Sequence, residues 1–182
     1  MILEKQNYQW YAVYTRANGE KKLFDSLREK NIECFLPVRK VLKYWSDRKK
    51  WVEEPLFRCY IFVKVSNKEF FSVLNTPGAV CYVSFGGRAQ SIPEIQINNI
   101  RTFLVQVDHE ITLTYERIQK GVKVEVLNGS LKGIQGEVTN LYGQTRLIIR
   151  IDSLNCSLYA NISREEVKVI GEKPSQKTYA AL

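Results

Sequence analysis

Apolar and polar residues alternate with a strand's two-residue period in several short stretches, and the stretches between them carry helical spacing. "WYAVYTR" (10–16) predicts a first strand. It leads through Ala17-Asn18-Gly19 into a helix with an apolar stripe of Leu23, Phe24 and Leu27, for which Asn18 is the expected N-cap. "IECFLPV" predicts a short strand ended by Pro37, followed by a basic hairpin turning near Ser46-Asp47. "NKEFFSVLNTPG" predicts a short helix closed by Pro77-Gly78, and "AVCYVSF" another strand. "IPEIQINNIRTFLVQV" predicts a helix opened near Pro93, with Ile97, Ile100 and Leu104 at helical spacing. One strand, a helix, several antiparallel strands and a last helix describe an α+β sandwich.

The strand expected from Leu56 has two unlike faces. Phe57, Cys59, Ile61, Val63 and Val65 form a wholly apolar one, which reads as core. On the other, Tyr60 and Phe62 lie between Arg58 and Lys64. That mixture suits aromatic anchors with a polar rim at an interface, and it equally suits packing beneath a helix. Pattern alone leaves both open.

After Val107 the helical period ends. Residues 108–120, "DHEITLTYERIQK", read as a linker between a first domain over 1–107 and a second over 121–171. The second consists of short alternating strands punctuated by glycine, as a small closed β-barrel would be. The tail, 172–182, lacks a packing pattern and is expected to be disordered.

Composition narrows the function. Of the 182 residues 45% are hydrophobic and 25% charged, which is ordinary for a globular protein. With no apolar run near the ~20 residues of a membrane helix and no signal-peptide pattern, the expected location is the cytoplasm, with no membrane partner. Cys34, Cys59, Cys81 and Cys156 are too far apart for a zinc knuckle or redox motif, and His109 is the single histidine. No nucleotide-binding or nucleophile motif is present. The chain therefore reads as a binder without cofactor or metal, and not as an enzyme. Its net charge is +8. Six cations (Arg39, Lys40, Lys43, Arg48, Lys49, Lys50) cluster between 39 and 50 against Asp47, interleaved with Tyr44, Trp45 and Trp51. Cations track phosphates and rings stack on bases, so the cluster suits single-stranded nucleic acid.

Four blocks in order carry a resemblance. "WYAVYT", "EPLFRCYIFVKV" and "NTPGAVCYVSFGG" with the following "IP" resemble the N-terminal domain of NusG-type transcription elongation factors. "KGVKVEVLNGSLKGIQGEV" resembles their C-terminal KOW barrel. "WSDRKKWVEEPLF" looks most like the specialised RfaH-like and UpxY-like antiterminators of long operons. The resemblance implies a monomeric factor docking through an apolar concavity onto the clamp helices of RNA polymerase's largest subunit. At the matching positions the docking residues would be Tyr14, Phe57, Tyr60, Phe62 and Phe85. It further implies an approach of Arg16, Lys43, Arg48 and Lys49 to the non-template DNA strand. Leu131 and Ile134 would lie in a barrel loop that meets Rho or a ribosomal protein.

Where the family usually has Phe-Pro-Gly-Tyr, this chain has Phe57-Arg58-Cys59-Tyr60, from which a more regular strand is expected. Some RfaH-like barrels refold as helices. Gly133, Gly136 and Gly143 would each weaken such a helix by ~1 kcal/mol, so a permanent barrel is expected. The alternative to a polymerase-bound factor is a KOW-containing ribosome- or RNA-binding module.

Overall fold

The structure, a computed structural model, describes residues 7–45, 47–105, 111–141 and 143–170. The chain divides into two compact units, Met1–Leu104 and Val105–Leu182.

The first unit is built on a sheet of β1 (Gln9–Thr15), β2 (Glu33–Phe35), β5 (Tyr60–Val65), β6 (Ala79–Tyr82) and β9 (Ser91–Ile92). Its main order is β2-β5-β1-β6, with β9 pairing on β1. Two ribbons stand apart from it: β3 (Val38–Tyr44) with β4 (Lys49–Pro55), and β7 (Ser84–Phe85) with β8 (Arg88–Ala89). Three helices complete the unit: α1 (Glu20–Glu29), α2 (Phe70–Leu74) and α3 (Glu94–Val105).

The period of two decides the layers. Val13, Ile61, Val63, Val65 and Tyr82 share one sheet face and pack in one buried cluster with Leu23 and Leu27 of α1 and Val73 of α2. The other face carries Trp10, Ala12 and Tyr14 on β1, opposite Lys64, Phe62 and Tyr60 on β5. This is the α+β sandwich read from the pattern.

Two local expectations are corrected. Asn18 does not cap α1: the N-cap is Gly19, without a side-chain bond, and Asn18 takes a positive φ of 58° in the turn before it. The two-faced strand does not begin at Leu56 either. Residues 56–59 form a turn, Tyr60 N–H donating to the Phe57 carbonyl at 3.3 Å, and the regular strand starts at Tyr60.

The second unit is one antiparallel sheet of six strands: β10 (Thr112–Thr114), β11 (Val122–Val126), β12 (Gln135–Leu141), β13 (Gln144–Ile151), β14 (Cys156–Asn161) and β15 (Val167–Val169). The order is β10-β14-β13-β12-β11-β15. Val124, Val126, Leu147, Ile149, Ile151 and Leu158 are buried, and the register places them on one face. Two of the glycines weighed above are committed to this form. Gly133 has φ +84°, outside helical space, and a Cβ on Gly136 would meet the Ile148 carbonyl at 2.6 Å.

The expected linker 108–120 is shorter than its sequence suggested. Thr112–Thr114 pairs with Ser157–Tyr159 of β14. Further on, Arg150 Nη2 donates to the Gln119 carbonyl at 2.9 Å, and Gly121 N–H donates to Glu137 at 3.0 Å. Glu137 is also bonded by the Arg150 guanidinium at 3.0 Å. Burial works against its charged form, but the bonds from Arg150 and Gly121 outweigh that and hold its carboxyl below the usual carboxylate range. The helical period gave no warning of β10, because three residues are too few to establish alternation. The remainder of the expected linker, 108–110, and the tail 172–182 lie outside the described residues.

A fragment of residues 111–170 is accordingly expected to unfold in one cooperative step. A fragment of 121–170, stripped of the β10 ladder and the Gln119 tie, should be less stable by on the order of 2 kcal/mol. Urea titration of the two compares them directly. Equal midpoints would return 111–120 to the linker.

Candidate functional site

The second face of the first sheet is closed at one end and open at the other. Helix α3 closes the end that holds Trp10, Lys64 and Phe35. The Arg101 guanidinium lies 5.2 Å from the Trp10 ring and 5.1 Å from that of Phe35. Lys64 Nζ is 3.0 Å from Glu94 Oε2, and this hydrogen-bonded contact holds the Glu94 carboxyl below its ordinary range. Ile97, Ile100 and Phe103 of the same helix are fully buried.

At the open end stand Tyr14 and Tyr60. They are direct cross-strand partners with ring centroids 5.5 Å apart at 66°. Tyr60 is half-buried, while Tyr14 keeps 40% of its surface in water. Cys81, opposite Tyr14 on β6, is exposed. Phe85, on the β7–β8 ribbon, is 83% exposed. Aromatic area left in water contributes nothing to the core and is available for a partner to cover.

Phe57 and Phe62 stand differently. They are 1% and 0% exposed. Phe62 meets Phe57 edge-on at 5.5 Å and stacks with Phe35 at 6.2 Å. The two rings expected at the docking face are thus buried, Phe62 lying between Phe57 and Phe35 beside Tyr60 on the same face. The expected rim changes as well: Lys64 is engaged with Glu94 at the closed end, and Arg58 alone of the two is exposed.

Cys59 explains why the open end keeps its shape without the family's glycine. Its φ is +63°, in the left-handed region that glycine occupies without strain. Its N–H donates to Oε1 of the buried Glu20 at 2.7 Å, and its carbonyl accepts from Thr15 N–H at 2.8 Å. The more regular strand expected at Phe57-Arg58-Cys59-Tyr60 is thus not formed; the segment is a turn that holds Cys59 in a strained conformation. Cys59→Gly should stabilise the protein by about 1 kcal/mol, and Cys59→Val should destabilise it, both read from thermal unfolding. A lower midpoint for the glycine variant would contradict the strain.

The basic hairpin is a two-stranded ribbon whose faces differ. Leu42 opposite Trp51 and Tyr44 opposite Lys49 lie on one side with Lys40 and Glu53. Arg39 opposite Glu54, Val41 opposite Val52, and Lys43 opposite Lys50 lie on the other. Lys43 forms an ion pair with Glu54, which draws the Glu54 carboxyl below its usual range. Lys49 Nζ lies 4.9 Å from the Tyr44 ring centroid. Lys43 and Lys49 therefore do not act from the same face. Arg48 and Arg16 are exposed, at the hairpin turn and just after β1.

In the second unit Leu131 and Ile134 are 2% and 1% exposed. Gly133 N–H donates to the Val126 carbonyl at 2.8 Å, and Val126 N–H donates to that of Ile134 at 2.9 Å. The two apolar side chains anchor their loop, and Lys132 between them is what it presents to solvent. Among the described residues no cluster of His, Cys, Asp or Glu is arranged to hold a metal, and no helix is long and apolar enough to cross a membrane.

Sequence reasoning missed Phe35 and Arg101, which close the inner end of the face. No periodic signal marks them, since both gain their role from the packing of α3. The exposed rings of Tyr44 and Trp51 were signalled by their interleaving with cations.

Residues 8–101, half of the chain, match the family model described as "Transcription termination factor nusG". The chain is 25% identical over 149 residues to the transcription termination/antitermination protein NusG of Rickettsia felis, covering 76% of this chain and 77% of that one. A structure described as "Domain interaction in Thermotoga maritima NusG" aligns at 17% identity with a TM-score of 0.49, covering 91% of this chain and 98% of that one. A crystal structure of an MjSpt4:Spt5 complex aligns at 16% identity with a TM-score of 0.27, over 91% and 99% of the two chains. The family match spans the sheet that carries Tyr14 and Tyr60 and the ribbon that carries Phe85, and on it the chain belongs to the NusG family of transcription termination and antitermination factors.

Proposed function

We propose that this factor binds RNA polymerase through the open end of the first sheet's second face and promotes processive transcription of particular long operons. The Tyr14–Tyr60 ring pair, left exposed where α3 ends its cover, is the observation that carries this reading. With Phe85 it offers apolar area that a pair of helices, such as the clamp helices of the largest subunit, can cover. Phe62, beside Tyr60 on the same face, is buried against Phe57, and Arg58 supplies a charged rim. Arg16 and Arg48 are exposed cations that can approach non-template DNA, Lys49 would do so from its place over the Tyr44 ring, and Lys43 is engaged with Glu54. The loop presenting Lys132 over Leu131 and Ile134 is the surface for a second protein such as Rho or a ribosomal protein. The ancestry within the RfaH-like and UpxY-like paralogues belongs to the same proposal and rests on the "WSDRKKWVEEPLF" run.

Affinity capture from the host's extract tests the proposal. Core polymerase should be retained. Ribosomal subunits in its place would favour the ribosome- or RNA-binding alternative.

A further inference from the structure

The β7–β8 ribbon is a two-residue hairpin. Gly86 and Gly87 both take positive φ, 58° and 76°, the conformation whose twist matches that of the flanking strands. The turn makes Phe85 and Arg88 direct cross-strand partners, so ring and guanidinium stand on the same side of the ribbon. The ribbon is rooted on β1. Val83 N–H donates to the Ala12 carbonyl at 2.9 Å, and Gln90 N–H donates to that of Val83 at 3.0 Å. Arg88 is thus displayed beside an exposed ring, on a ribbon fixed two residues from Tyr14.

Arg58 holds a second fixed position. It lies two residues before Tyr60, in the turn that Glu20 and Thr15 secure through Cys59. Both arginines are exposed, and among the described residues neither forms an ion pair. The carboxylates near Arg58 are already engaged: Glu20 is buried and accepts the Cys59 N–H, while Glu54 is bound first of all by Lys43. The two sides of the Tyr14–Tyr60 pair marked by Arg58 and Arg88 are therefore positive and not neutralised within the protein.

From this arrangement we infer that the surface received by Tyr14, Tyr60 and Phe85 carries carboxylates, which Arg58 and Arg88 grip from two sides. The inference rests on the polymerase-docking reading and deepens it by naming the chemistry of the partner's rim and adding Arg88 as a specificity-determining residue. Charge complementarity calls for an acidic occupant, and the planar guanidinium fork matches a carboxylate through two parallel hydrogen bonds. Arginine beside exposed tyrosine is also the composition of protein–protein hot spots. Tyr14 and Tyr60 meet edge to face at 66°, which fills a ring face within the pair and leaves a shape for side chains more than a flat platform for bases.

The test measures association and dissociation rates of the full-length protein on core RNA polymerase across a salt series. Arg58→Ala with Arg88→Ala should slow association about tenfold at low salt, and the difference should close as salt screens the rim. Arg164→Ala, which removes an exposed cation from the second unit, should bind as the parent does. Arg58→Lys and Arg88→Lys then identify the partner group. A carbodiimide joins an amine to a carboxylate as an amide with no spacer, itself taking up the water released. Each lysine should couple to an aspartate or glutamate of the largest subunit's clamp helices. A parent that fails to bind polymerase would overturn the docking reading and this inference together. A parent that binds, with the double alanine variant matching its rates at every salt, would overturn the inference alone. So would an equal loss in Arg164→Ala, or coupling of neither lysine while polymerase is bound. An effect present only when the polymerase carries nucleic acid would assign the arginines to phosphates and overturn it equally.

Discussion

Replacing Tyr14 and Tyr60 together by alanine should weaken binding to core RNA polymerase by about 30-fold or more, equivalent to ~2 kcal/mol. The thermal midpoint should move little. Tyr14 is 40% exposed and Tyr60 half-buried, and they lie against each other at the end of the sheet that α3 leaves open. Truncating them removes partner-facing area more than core. Equilibrium binding and thermal unfolding of the same preparation separate the effects. A collapsed midpoint, with affinity following only the folded fraction, would make the pair ordinary core.

Phe62→Ala should do the reverse. The side chain is fully buried between Phe57 and Phe35, and its removal leaves a cavity under both. Large-to-small changes at such aromatic sites cost ~3–5 kcal/mol, a large share of the 5–15 kcal/mol typical of a domain. Urea unfolding should register that loss, and Phe62→Leu should recover much of it. Polymerase affinity, corrected for the folded fraction, should fall far less than in the tyrosine pair. A stable Phe62→Ala variant with lost polymerase binding would mean that this ring meets the partner directly.

The contrast between Phe62 and Tyr60 marks where the sequence stops being legible. Both residues lie two apart on one strand face, and alternation alone assigns them one environment. What separates them is the reach of α3. Its Arg101 lies over Trp10 and Phe35, and the Lys64–Glu94 contact ties it to the same end of the face, leaving Tyr60 toward the other. Helical spacing showed that Ile97 and Ile100 face a core, but not where along the sheet that core ends. Phe57 shows a second limit. Its parity assumed a straight strand, and the turn at 56–59 with Cys59 at φ +63° breaks the count, bringing Phe57 onto Phe62. A positive φ at cysteine has no compositional signal; only the glycine of related chains at that position hints at it. Elements supported by longer repeats were legible: the strand at Trp10, the stripe of Leu23 and Leu27, and Val122, Val124 and Val126 in the second unit. The three-residue strand Thr112–Thr114 was not, because its existence depends on β14, far along the chain.

Site-specific photocrosslinking tests the central claim most directly. A photoreactive phenylalanine analogue would replace Tyr14 or Phe85 on the proposed docking face. A control would carry it at Phe71, 70% exposed on α2, the helix that packs against the opposite sheet face. With core polymerase present, positions 14 and 85 should crosslink to the clamp helices of the largest subunit, and position 71 should not. Crosslinks from 71 alone, or none from 14 and 85 while polymerase is bound, would contradict the account.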